Sequence, residues 1–287
     1  MNAMDLKATH KLAKLLEPIH SQIYFAPEAE ENFVAAGLRP GRMCYFAGRA
    51  APMGEVGPGA VAATFYNFNP ETVAKYIPRA WTLTTPKAVV EARWKAADAS
   101  LRRLLGDELV ASAEMAEAAQ LARVASEACT PDGRALYAGH ADLEWPEEPH
   151  LVYWHAITLL REFRGDGHIA ALVQAGLSGI EALIAHTAAG TGFLPEAAKS
   201  TRGWSDEQWA AGEESLRAKG LLDADGAPTE RGTALRAEVE DHTDRLDLAP
   251  WAHLGAERCA RLGELAHPIT VTALKAGAFP AGVFAKK

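Results

Sequence analysis

Cysteine is scarce: Cys44, Cys129 and Cys259 are the only three in 287 residues, far apart and without a CxxC pair. That pattern excludes a disulfide framework and zinc-knuckle spacing. It fits small buried side chains in a reducing compartment. No stretch approaches the ~18 apolar residues of a membrane span. The first twenty residues carry Asp5, Lys7, Lys11, Lys14 and Glu17 where a secretory leader is apolar. The expectation is a cytoplasmic protein with no membrane partner. Positive charge is in deficit, with 29 Lys and Arg against 37 Asp and Glu for a net charge of −8. Such a balance works against non-specific hold on a phosphate backbone. Strand-like runs are few, the best being Met43–Phe46 and the region of Leu221–Thr229. There is no P-loop and no GxSxG. Gly57-x-Gly59 and Gly165-x-Gly167 follow no strand of a βαβ unit, so they read as turns, not as a dinucleotide fingerprint.

What is present is a core. Hydrophobic residues make up 48% and charged residues 23%, the balance of a globular chain. Its length exceeds the usual single domain, which predicts two lobes. Apolar residues recur three and four apart through Pro86–Leu105, Ala113–Ala128 and Leu151–Phe163, the signature of helices. Breaks fall at Arg39-Pro40-Gly41, Pro131-Asp132-Gly133 and the Pro-rich stretch from Trp145 to Pro149. The chain also resembles itself. The stretch from Trp94 through Ser100, Leu101 and Arg102 aligns with that from Trp209 through Ser215, Leu216 and Arg217, and Gly57–Ala63 aligns with Gly165–Ala171. Their shared order implies a duplication. The expected fold is mainly α: tandem winged-helix-like lobes related by internal duplication, with a short β-hairpin wing. Residues 1–135 would form the first lobe, and 136–287 the second with a C-terminal helical tail.

Trp204-Ser205-Asp206-Glu207 reads as a helix start, with Ser205 as N-cap and carboxylates in the first turn. That helix should stop at Lys219-Gly220. A hairpin turning at Asp225-Gly226 follows, and then a long helix opening at Thr229-Glu230-Arg231-Gly232. This order resembles the winged helix of MarR-type regulators over Arg202 to Leu246. More broadly, the chain resembles an actinobacterial family of two-lobed, winged-helix-like proteins. The segments Gly48–Gly54, Tyr66-Asn67-Phe68-Asn69-Pro70, Arg161–His168 and Pro250–Gly255 carry that resemblance, which implies a fold and no particular activity. The MarR likeness implies a DNA partner. The helix from Ser205 to Lys219 argues the other way, because Asp206, Glu207, Glu213 and Glu214 outnumber Arg217 and Lys219.

The densest polar stretch is His155–His168. Gly165-Asp166-Gly167 would turn the chain, and Asp166 would either cap the following helix or orient His168 as a base near neutral pH. The aligned place in the first copy holds Ala60, so His168 is an asymmetry between the copies. No i, i+4 histidine pair marks a metal site. A gathering of His155, His168 and His186 with Glu162 stays open, as does a hydrogen-bonded structural role for each. His140 and His150, beside the Pro-rich loop, are expected at the surface. Arg49 would suit a carboxylate or phosphate, while Tyr66 and Asn67 offer either a pocket wall or core packing. Trp94 and Trp209 read as equivalent core anchors.

The sequence thus points to a small-molecule-binding protein, or a cofactor-independent enzyme, with its site between the lobes. His168, Asp166 and Glu162 would do acid–base work, and Arg49, Tyr66, Asn67, Arg161, Arg164 and His186 would hold the ligand. The alternative is a ligand-responsive winged-helix regulator of transcription. Cofactor and oligomeric state are left open.

Overall fold

The computed structural model describes residues 5–190 and 192–282. Seventeen α-helices and two short 3-10 turns account for the regular structure among these residues, and none of them lies in a β-strand. The chain divides into two compact units. The first is built from residues 5–56, 79–167 and 244–279, and the second from 57–78, 168–243 and 280–282.

In the first unit the sequence makes helices by capping and periodicity. Thr85 accepts a hydrogen bond from the Ala88 amide and starts Pro86–Leu105, with Pro86 at the first position, where its missing N–H does no harm. Ser112 does the same for Ala113–Ser126 through the Met115 amide. The latter helix buries Met115, Ala118, Ala119, Ala122 and Ala125, a stripe three and four apart whose small side chains let neighbours approach. Helix Ala256–Lys275 packs on it and on Leu6–Ser21, burying Leu262, Leu265, Ala266, Ile269 and Ala273. Helix Pro149–Gln174 starts in this unit and ends in the second. Its residues 153–160 are all buried, so this stretch is enclosed on every side.

The second unit packs three helices, Gly179–Ala188, Pro195–Arg202 and Asp206–Ala218, around Leu183, Ile184, Ala198, Trp209 and Leu216. Reciprocal capping boxes start the first and third: Ser178 with Glu181, and Ser205 with Gln208. Gly203, left-handed at φ 77°, ends Pro195–Arg202 and turns the chain through Trp204 into the Ser205 cap. A Cβ at Gly212 would stand 2.6 Å from Ile184 Cδ1, so glycine there sets how closely two of these helices approach.

Several expectations need correction. Met43–Phe46 is helical, inside Arg42–Ala50, because its apolar residues serve one helix face and no second strand is present to pair with it. Gly165-Asp166-Gly167 is no turn, and Pro149–Gln174 runs through it unbroken. Gly167 is small for packing instead, since a Cβ there would lie 2.7 Å from the Arg134 guanidinium and 3.3 Å from Leu246 Cβ. The wing is reduced to one antiparallel bridge, Leu222 with Pro228. Pro228 has no N–H to extend a ladder, and the Asp223 carboxylate takes the Asp225 and Ala227 amides within the turn.

The duplication is not supported. Gly57 precedes helix Pro58–Phe65, whereas its aligned partner Gly165 sits within a helix. The compact units also follow boundaries other than 1–135 and 136–287. Trp94 is half-buried against Trp154 and His155, while Trp209 is buried and donates to Glu213. All three cysteines are buried free thiols, as expected. No single helix among the described residues is long and apolar enough to cross a membrane.

Candidate functional site

The first unit encloses a charged cluster. Glu162, 1% exposed, receives Arg161 Nη1 at 2.6 Å and Arg49 Nη2 at 3.2 Å on the same carboxylate oxygen. Burial is the largest single influence on Glu162 and pushes its pKa up. The charges of Arg161 and Arg49 outweigh it and hold the carboxyl well below the usual range. His20 lies 3.6 Å from the other oxygen, yet burial drives its pKa well down despite the attraction of Glu162, so this approach is not an ion pair. The tautomer follows from the neighbours. The Thr158 hydroxyl donates to the Trp154 carbonyl, so its oxygen accepts from His20 Nδ1, and Nε2 is left to accept from the Tyr24 hydroxyl. His140 is neutralised by burial in the same way, and His155 is lowered to about 4 by burial with the charges of Arg93 and Arg123.

Of the anticipated site residues, then, Arg49, Arg161 and Glu162 meet. Asp166 makes no hydrogen bond or ion pair with these three. Its Oδ2 accepts the Leu136 and Tyr137 amides at 3.0 Å each and so caps Ala135–Ala141, not the helix that follows it in sequence. Burial nevertheless raises its pKa to about 6 against those two hydrogen bonds. Arg164 pairs with Asp244 at 2.7 Å and reaches Asp247 at 3.5 Å. Burial raises Asp247 to about 7 even though it also accepts from Trp251. His140 and His150, expected at the surface, are each 1% exposed, and His150 Nε2 lies 2.6 Å from Asp98. Their helices fold the ring faces into the core, which the adjoining prolines do not reveal.

His168, Tyr66, Asn67 and His186 belong to the second unit. His168 and Asp166 are two apart on one unbroken helix and point to different sides, so the expected dyad does not form. His168 Nδ1 instead meets the Thr243 hydroxyl at 2.8 Å. The Tyr66 hydroxyl donates to the Leu177 carbonyl, and its backbone sits at the unusual φ of 47°. The Asn67 carbonyl accepts from the Trp204 indole, and Asn69 caps Pro70–Ala74 while its amide donates to the Gly203 carbonyl and to Gln208. These residues brace the turn between Pro195–Arg202 and Asp206–Ala218. His186 stands where a Cβ on Gly192 would meet its ring at 2.3 Å.

After Asp206–Ala218 the Thr-x-x-Gly pattern has a physical cause. The Thr229 hydroxyl donates to the Gly220 carbonyl and accepts the Gly232 amide, which caps Glu230–Leu246. A Cβ at Gly232 would lie 2.1 Å from the Leu221 carbonyl oxygen, so only glycine lets the helix return so close to the turn. A helix, a left-handed glycine turn, a capped second helix and a return helix thus follow one another here, the order of elements in a helix-turn-helix. Residues 9–280 match the model of a helix-turn-helix family, and the chain belongs to that family. No curated protein and no solved structure matches it.

The charges on this module are distinctive. Segments 57–78 and 168–243 hold 13 Asp and Glu against 7 Lys and Arg, so most of the chain's negative excess lies here. The solvent face of Asp206–Ala218 shows Glu207, Ala210, Ala211, Glu214 and Ala218. Lys199 pairs with Glu196 and Asp206, Arg217 with Glu213 and Glu214, and Lys219 with Glu181. Arg202 lies over the rings of Phe68 and Phe193.

Proposed function

We propose that the chain is a regulator-like DNA-binding protein whose second unit meets the duplex through Pro195–Arg202 and Asp206–Ala218. The observation that carries this reading is the complete helix-turn-helix with its return helix, in a chain that matches the family over nearly its whole length. The charges set the terms of contact. Glu207 and Glu214 would face phosphates or base edges unfavourably, so the hold rests on the exposed Arg231 and on Lys199, Arg217 and Lys219 exchanging their carboxylate partners for phosphates. Neutralising about two to four phosphates gives an affinity that falls about 10- to 150-fold between roughly 50 and 200 mM salt.

Selection from short duplexes with randomised centres, read by fluorescence anisotropy at low salt, tests this. Glu207→Gln with Glu214→Gln should tighten binding, and Arg231→Ala should weaken it and flatten the salt slope. One observation favours a second reading. The alanine and glutamate stripe on Asp206–Ala218 offers small side chains and negative charge, a surface suited to a basic protein partner. If the Glu207→Gln, Glu214→Gln protein also binds no duplex at low salt, the DNA reading fails and this one stands.

A further inference from the structure

The first unit contains a half-open cavity of about 280 Å³ that the helix-turn-helix does not involve. Its walls are mostly apolar and aromatic, with Ile23, Tyr24, Phe33 and Tyr45 among them, and Arg93 is its buried cation. Tyr24 and Tyr45 stand in contact, with ring centroids 5.3 Å apart and tilted by 59°, so they form one aromatic wall against which a flat body can lie. Gly48 on the wall lets the Phe33 ring pack directly against its helix, because a Cβ there would strike that ring at 2.5 Å.

Arg93 is the unusual member. It is 3% exposed, yet no carboxylate among the described residues lies within ion-pair distance of it. Nη1 makes one long hydrogen bond of 3.4 Å to the Gly48 carbonyl, and Nη2 is buried without a hydrogen-bond partner. The guanidinium lies over Trp154 at 4.9 Å and Tyr24 at 5.6 Å, which holds it in place without neutralising it. A buried cation without a counter-ion is costly to fold around. Its charge is felt nearby, since it adds to the burial that keeps His20, His140 and His155 neutral. Glu162 does not serve as its counter-ion, being engaged by Arg49 and Arg161.

We propose that this cavity binds a small monocarboxylate with a flat apolar body, its carboxylate taken by Arg93 and its body held by Tyr24, Tyr45 and Phe33. The cavity lies near the lower end of ligand-site volumes, so the ligand has on the order of ten to fifteen non-hydrogen atoms. Glu30 lines the same cavity from an exposed position, where it accepts the Gly41 amide at 2.7 Å. Its charge repels an arriving carboxylate and sets affinity without being part of the hold. This inference does not depend on DNA binding.

The test uses 3-phenylpropionate and its neutral amide, 3-phenylpropanamide, titrated into the full chain by calorimetry and by tryptophan fluorescence, for which Trp154 under Arg93 is the reporter. The acid should bind saturably and about ten- to hundred-fold more tightly than the amide, the range expected of a charge-assisted hydrogen bond. Arg93→Met should remove that preference. Because a buried substitution risks the fold, Glu30→Gln provides the second arm: it is exposed, keeps an oxygen for Gly41, and should tighten the acid about two- to five-fold while leaving the amide unchanged. Equal binding of acid and amide overturns the proposal. So does absence of acid binding at millimolar concentration in both the unaltered protein and Glu30→Gln.

Discussion

Replacing His155 by Phe separates the burial of a neutral imidazole from everything else that titrates in this protein. His155 is 1% exposed, its ring edges meet Trp145 at 4.7 Å and Trp94 at 5.3 Å, and Nε2 is buried without a hydrogen-bond partner. Burial, then Arg93 and Arg123, lowers its pKa from 6.5 to about 4. A histidine depressed in the folded state contributes stability above its unfolded pKa and loses it as pH falls toward the folded one. Between pH about 7.5 and about 5 the unfolded chain takes up a proton that the folded chain refuses, so this one ring costs about 2 kcal/mol of stability. Asp166 and Asp247, whose pKa values are raised, act in the opposite sense over this window. They are common to both proteins and cancel in the comparison. Urea unfolding at the two pH values measures both losses. His155→Phe should be within about 1 kcal/mol of the unaltered protein at the higher pH, and should lose about 2 kcal/mol less on acidification. Equal losses in the two proteins would refute the reasoning.

Further outcomes follow from single contacts. Glu162→Gln leaves the buried Arg49 facing a neutral amide and should lower stability by about 3–5 kcal/mol, read from the urea midpoint. Arg161→Ala should cost less, because that side chain is 30% exposed. Gly179→Ala would place a Cβ 1.9 Å from the Tyr66 carbonyl oxygen and should cost the second unit more than about 3 kcal/mol. Gly59→Ala, on a helix with nothing within 4 Å of the new atom, should stabilise by up to about 1 kcal/mol, and thermal unfolding of the pair makes the contrast.

Sequence by itself determined what local energetics control. The Ser205 cap, the acidic first turn after it, the stop at Lys219-Gly220 and the Thr229-x-x-Gly232 return all stand where their residues place them, because a cap or a turn is decided within four residues. The order of helix, turn and helix in the second unit was therefore legible in the sequence, as was the burial of the thiols, whereas the expected β-hairpin and duplication were not borne out. Gly165-Asp166-Gly167 misled because glycine serves a turn and a close helix approach equally well. Only the Arg134 guanidinium and Leu246, brought in from elsewhere in the chain, show which use applies.

The polar interior belongs to tertiary structure for the same reason. Arg49 and Glu162 are 113 residues apart and meet through folding alone. Arg93 looks like an ordinary helix-surface cation until the walls around it are present, and His20 had no local partner to single it out. Periodicity tells which face of a helix turns inward. Which side chain of a distant helix it then meets is settled by packing over the whole unit, where no short-range pattern carries the information.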